Sequence, residues 1–297
     1  MIIQRDRNYV LRVGAPGKKY LEISGLNIQF KVQKSSDNKK KGNHASVSVF
    51  NLSEDNRKVL EETGVVVYLE VGYADTGLHE LFSGQVTDVE TNRNGEDIVT
   101  TLTLDSVYSG LNHKLLSTLV APGSTLEQLF RRIVKDMPEI TQTKFSGPTL
   151  QKKVPDGYPI NGTPRQALTE VADAYGLEWQ VDSGILYVTD VTYSFMTDKQ
   201  AFLLNEFSGL IERPEVDEIE KQRSKKDKKK KGRKGLKIKC LLNPLIKAGG
   251  MIKLEFGDYS GFYKVINISH DGEVYGNSWT TTLIVGTKDS KPEDTEE

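Results

Sequence analysis

Two stretches of this chain, far apart in sequence, carry the same strand pattern, and that repeat limits the folds open to it. Tyr68-Leu69-Glu70-Val71-Gly72-Tyr73 matches Lys253-Leu254-Glu255-Phe256-Gly257-Asp258. Downstream, Ser83-Gly84-Gln85-Val86-Thr87-Asp88-Val89 matches Gly261-Phe262-Tyr263-Lys264-Val265-Ile266-Asn267-Ile268. Further on, Val99-Thr100-Thr101-Leu102-Thr103-Leu104 matches Thr280-Thr281-Thr282-Leu283-Ile284-Val285. Strand composition is restricted, so hairpins can resemble one another without common origin. The sharper account is a duplicated β module, which would set the architecture before any motif is considered.

Period-two alternation runs through both stretches. Ile28, Phe30 and Val32 alternate with polar residues, and Ala45, Val47 and Val49 alternate with His44, Ser46 and Ser48. Successive side chains of a strand point to opposite sheet faces, so this pattern predicts half-buried strands. One short helix interrupts the first region. Ser53 is its expected N-cap, Glu54 and Asp55 its first turn, and Gly64 its expected stop.

Between the two β regions the period changes. Leu126, Leu129, Phe130, Ile133, Val134 and Met137 recur at helical spacing, with Ser124 and Glu127 as a capping box and Pro138 as the terminator. A second helix is expected from Thr163, with Pro164 in its first turn, Gln166 completing a capping box and Gly176 ending it. Its buried stripe is Leu168, Val171, Ala172 and Tyr175. Leu177, Trp179 and Val181, a turn at Asp182-Ser183-Gly184, and Ile185, Tyr187 and Thr189 predict a hairpin. The fold class expected is mainly β, with two similar small β-barrel or sandwich modules flanking an α+β middle domain. The boundaries are 1–112, 113–191 with the helices, 192–288 with a basic loop, and an acidic flexible tail at 289–297.

Composition narrows the function classes. The 297 residues carry 40 Lys+Arg against 41 Asp+Glu, a net charge of -1, so the whole chain is not a basic nucleic-acid binder. A single cysteine, Cys240, excludes an internal disulfide framework and a Cys-rich zinc site. It lies in the apolar run Ile238 to Leu242 and reads as a buried structural thiol. Four scattered histidines offer no metal site; His44 falls in a strand, and His270 precedes Asp271-Gly272 at an expected exposed turn. No signal-like stretch opens the chain, and no run reaches the roughly 20 apolar residues of a membrane span. Nucleophile elbows, zinc-protease helices and phosphate loops are absent. No catalytic, cofactor or metal residue is therefore assigned.

One segment stands out by charge. Lys221, Arg223, Lys225, Lys226, Lys228, Lys229, Lys230, Lys231, Arg233 and Lys234 crowd into fourteen positions after an acidic approach. Such a block is a solvated loop between strands. It is also a candidate electrostatic contact with nucleic acid or an acidic protein surface, although no aromatic residue is interleaved for base stacking.

Several strings together resemble the baseplate hub proteins of contractile-tailed bacteriophages. They are Leu21 to Val32, Asn43 to Ser53, Val71-Gly72-Tyr73 with Leu81 to Val86, and Ser208 to Pro214 leading to Cys240 to Leu245. Ile268 to Gly272 with Trp279 to Leu283 completes the set, which spans nearly the whole chain. The resemblance implies a virion protein, assembled in the bacterial cytoplasm, that forms a homotrimer. Two barrel-like domains per subunit would make a pseudo-sixfold ring between a sixfold tail tube, or tube-initiator protein, and a threefold central spike. Other baseplate proteins would surround it, and DNA would pass through the channel without specific binding. It implies no enzyme activity, no cofactor and no membrane insertion. The lumen is expected to be neutral or acidic, with the basic loop pointing outward or toward a partner. The same hub type serves tailocins and type VI-like injection machines, and a nucleic-acid-binding module using the basic loop is the alternative from another class. The long basic loop is where the chain departs from the family.

Overall fold

The computed structural model describes residues 6–15, 19–39, 42–106, 109–196, 200–218 and 234–287. The alternating stretches form strands. The first region holds β1 (Arg7–Gly14), β2 (Leu21–Ile23), β3 (Ile28–Ser35), β4 (His44–Phe50), helix α1 (Glu54–Leu60), β5 (Val66–Tyr73), β6 (Gly77–Asn94) and β7 (Asp97–Asp105). The middle holds α2 (Ser109–His113), β8 (Leu116–Val120), α3 (Leu126–Val134), β9 (Gln142–Ser146), β10 (Tyr158–Gly162), α4 (Pro164–Tyr175), β11 (Leu177–Asp182) and β12 (Ile185–Asp190). The last region holds β13 (Phe202–Leu204), β14 (Glu215–Glu218), β15 (Lys234–Leu241), β16 (Met251–Leu254), β17 (Gly261–Glu273) and β18 (Trp279–Thr287). The fold is mainly β, as the alternation predicts.

The first and last regions share one pairing order. In the first, strands run β3-β4-β7-β6-β5-β1-β2; in the last, β14-β15-β18-β17-β16, with β13 beside β16. One irregularity corresponds as well. The β6–β7 ladder slips between Val86 and Asp88, and the β17–β18 ladder slips between Val265 and Asn267. One extra residue, Thr87 or Ile266, makes a bulge at the same place in each meander. The outer strands differ, because β1 pairs antiparallel to β5 whereas β13 runs parallel to β16. The two regions are not separate sheets: β17 pairs with β3, and this joins their strands into one 13-stranded sheet, while β8 with β10 and β9 with β11 and β12 form two smaller sheets in the middle region.

Three buried clusters follow the chain. The first is built on Leu11, Val47, Leu69 and Leu102, the second on Leu129, Phe130, Leu168 and Trp179, and the third on Ile238, Ile252, Val265 and Leu283. Leu242 and Trp279, from the last region, pack into the first cluster.

Helix boundaries show where local signals hold. α4 begins at the expected cap, with Thr163 Oγ1 accepting from the Gln166 amide and Gln166 Oε1 accepting from the Thr163 amide. It ends on Gly176 at φ 67, a left-handed conformation that costs glycine little. Thr163→Ala is expected to cost about 1 kcal/mol, read as a lower urea midpoint. α3 starts one residue later than expected, capped by Thr125 with Gln128 instead of Ser124 with Glu127. It stops at Val134, well before Pro138, because Lys135 already closes the last turn. α1 ends at Leu60 with Glu61 as its C-cap, so Gly64 serves the turn beyond it.

A larger correction concerns His270-Asp271-Gly272. They form no turn; they lie inside β17, paired with β18 on one side and β3 on the other. Gly272 is there for close approach. A Cβ at that position would fall 2.1 Å from the Phe30 ring, which stacks edge-on to Trp279 at 5.4 Å.

The ten basic positions from Lys221 to Lys234 lie outside the described residues except Lys234, which opens β15. The acidic tail also lies outside them.

Candidate assembly surface

Two of the residues singled out for their chemistry, Cys240 and His270, are locked into the core. Cys240 is 1% exposed, and burial pushes its thiol up to about 12. His270 is 1% exposed and shares a 2.9 Å hydrogen bond with Thr281 Oγ1. Burial, with help from the nearby Lys34 charge, lowers its pKa to about 3, so its ring is neutral. Among the described residues no group of His, Cys, Asp and Glu is placed to hold a metal ion. Cys240 is thus as the sequence predicts, whereas the exposed His270 expected from the sequence is not found.

What the molecule offers instead is a sheet with an interior junction between its two β regions and several open edges. At the junction, Gln29–Ser35 of β3 lies against Asn267–Glu273 of β17. The hairpin of β11 and β12 packs over this junction with both of its faces buried. Lys34 of β3 donates to Asp182 Oδ1 at 2.8 Å, and Lys247 approaches Asp182 Oδ2 at 3.4 Å. Burial alone would raise the Asp182 carboxyl, but these two ammonium groups outweigh it and hold its pKa below the ordinary value. Lys264 of β17 donates to Glu178 Oε2 at 2.9 Å, and the Ser36 hydroxyl reaches the same oxygen at 3.2 Å. Gln180 Nε2 donates to the Ala248 carbonyl at 2.6 Å.

The β3–β4 connection adds a backbone grip. The Asn38 amide donates to the Trp179 carbonyl, and Asn38 Oδ1 accepts from the Val181 amide. Arg165 of α4 stacks over Trp179 and donates to the Asn38 carbonyl at 2.9 Å. The hairpin is therefore a latch across the seam between the two β regions. Nothing local in the sequence marks Lys34, Lys264, Glu178 or Asp182. Polar residues alternating with Trp179 read as a solvated face, and their partners come from distant strands.

The open edges are elsewhere. β14 pairs only with β15, and β6 beyond Gln85 pairs only with β7, among the described residues. Unpaired strand edges are templates for another strand. Val216, on the β14 edge, is 62% exposed. At one end of the sheet a groove of about 740 Å³ is bordered by Tyr73, Leu204, Leu241, Leu245 and Trp279. Phe207, 93% exposed on a loop pinned by Asn205 and Ser208, stands at its rim. Among the described residues no helix is long and apolar enough to cross a membrane.

Comparison with solved structures places this architecture among tail proteins. A tail protein from Neisseria meningitidis MC58 superposes with a TM-score of 0.64 at 12% identity, covering 94% of this chain and 96% of that one. The 43 kDa tail protein of prophage MuSo2 from Shewanella oneidensis gives 0.63 at 12% identity, over 95% and 99%. The E. coli c3393 protein, a component of the type VI secretion system, gives 0.58 at 10% identity, over 93% and 76%. At these identities the likeness is one of fold. Among curated protein sequences nothing matches. The family model described as "Baseplate hub gp41" matches residues 10–257, most of the chain. With that match over most of its length, joined to a repeated meander and open sheet edges, this chain belongs to the baseplate hub gp41 family, a structural family of the phage tail.

Proposed function

We propose that the chain is the central hub of a tail baseplate, a homotrimer that presents its two β regions six times around one axis. The observation that carries this reading is the shared pairing order with its bulge at the same place, since three copies of two like regions make a pseudo-sixfold ring. Such a ring matches a sixfold tail tube or tube-initiator protein on one face and a threefold central spike on the other. Other baseplate proteins surround it, and DNA passes through its channel unbound. The chain divides at 1–112, 113–191 and 192–288, the middle domain lying outside the ring. The hub is assembled in the host cytoplasm and resides in the virion baseplate.

In sequence the basic residues Lys221 to Arg233 fall between β14 and β15, and Lys234 opens β15. They serve as an electrostatic contact with a neighbouring protein. The same hub in a tailocin or type VI-like machine is the second reading, favoured by the fold shared with the type VI component.

Light scattering tests the reading, with and without the spike protein. The expected mass is three times the 33.2 kDa chain in at least one sample. A strict monomer in both would overturn it. Salt-sensitive DNA binding lost on deletion of residues 221–234 would then favour the nucleic-acid module.

A further inference from the structure

We infer that a second copy of the chain adds to the sheet at two defined edges, Glu215–Glu218 of β14 and Val89–Asn92 of β6, in the register that joins β3 to β17 within one chain. This rests on the trimeric reading and names its seam.

The correspondence is fixed residue by residue. Val32 lies opposite Ala45, and Ala45 opposite Leu104; Val216 lies opposite Leu236, and Leu236 opposite Val285. Leu104 and Val285 each face the residue just before the bulge, Val86 or Val265. Val216 therefore holds the place of Val32. Past the bulges, Thr91 faces Thr100 as His270 faces Thr281, and each pair is joined by a side-chain hydrogen bond. Thr91 therefore holds the place of His270.

Within the chain His270 pairs with Val32. The same junction between chains sets Thr91 against Val216 of the next copy. The burial contrast shows what is missing. Val32 is 0% exposed and Ile268 2%, whereas Val216 is 62% exposed and Val89 is only half-buried. One junction is covered by the chain itself, and its counterpart is open. The two edges are different surfaces, so the contact is heterologous and must close into a ring or run on as a filament. Three chains close a ring of six regions.

The new seam differs from its template. Pro214 and Arg93 take the places of Phe30 and Gly272, so the aromatic lock is absent. Glu90 falls opposite Asp217, where the chain itself sets Ser269 against Gln33. Like charges directly opposite weaken a strand pair. Each chain has one latch hairpin, and it covers the internal junction. The ring therefore has three latched junctions and three unlatched ones, and it separates at the latter.

The test is Thr91→Cys combined with Val216→Cys in the full chain, oxidised and run on a non-reducing gel beside light scattering. Opposed strand positions lie within disulfide reach. The expected result is covalent multimers of up to three chains. Thr91→Cys with Asp217→Cys, whose side chains fall on opposite faces, is expected to stay single. A wild-type trimer with no cross-link in the Thr91→Cys, Val216→Cys protein would overturn the seam and leave the trimer standing. A strict monomer with and without spike protein would overturn both. Glu90→Gln is expected to tighten the trimer by at least about twofold, and an unchanged dissociation constant would overturn the register.

Discussion

Lowering the pH from 7 to 4 is expected to destabilise the fold by about 3 kcal/mol through His270 alone, and His270→Gln to remove most of that slope. The ring sits on β17, fully enclosed, with its pKa lowered to about 3 by burial first and by the Lys34 charge second; Asp182 opposes the shift. In the unfolded chain the same imidazole titrates near 6.5. Between those values the unfolded state holds a proton that the folded state refuses. Stability therefore rises with pH across that window and is lost as pH falls toward 3, at about 1.4 kcal/mol per unit. Asp182, held below its ordinary value, adds acid sensitivity at the lower end of the range. Asp37 works the other way, since burial raises its carboxyl to about 6 despite Lys39. Its folded form binds a proton before its unfolded form does, which offsets part of the loss between about pH 6 and 4. Urea midpoints at pH 7, 5.5 and 4, at one protein concentration, separate the contributions. Parallel profiles for wild type and His270→Gln would show that the imidazole is not the source. Glutamine stays neutral throughout and keeps a polar atom for Thr281.

His270 also shows why part of this structure was hidden in the sequence. Asp-Gly after a histidine is turn chemistry by local rules, yet Gly272 is a glycine of close approach whose partner, Phe30, lies far upstream. The two uses of glycine look alike until the partner is known. The α4 boundaries were readable because capping box, proline and glycine stop all act within a few residues of one another. The β11–β12 hairpin was half readable. Leu177, Trp179 and Val181 are buried as their alternation predicts, but so are Glu178, Gln180 and Asp182. Alternation reports one covered face, and it cannot report that distant lysines cover the other. The repeat was readable and carried the most information, because matching Leu69 to Leu254 and Leu102 to Leu283 already aligned the strands whose edges differ. The basic positions conspicuous by charge did not lead to the open edges, since edge pairing is a backbone property that composition does not display.

Lys264→Met is expected to destabilise the protein by about 3–5 kcal/mol, the usual consequence of removing one partner from a buried ion pair. Lys264 is 3% exposed, and its ammonium donates to Glu178 Oε2 at 2.9 Å and to the Val191 carbonyl at 3.1 Å. Without it the Glu178 carboxylate stays buried, with the Ser36 hydroxyl as its remaining side-chain donor. Glu178→Leu alone is expected to cost a similar amount, because it strands the ammonium instead. The double variant is the informative one. Two apolar side chains of similar volume escape the desolvation cost of both ions, so most of the lost stability returns. The contrast with Lys58→Met measures what burial adds: its partner Glu54 lies on an exposed helix, and the expected change is within about 0.5 kcal/mol. Hydrogen exchange gives the second readout. Because Glu178 ties β11 to β17, Lys264→Met is expected to raise exchange across Leu177–Asp190 before it affects β4 and β7. Uniform loosening of the whole sheet would mean that the pair supports the sheet itself. A urea midpoint equal to wild type would show that the hairpin is held by its backbone grip on Asn38 and not by the buried charges.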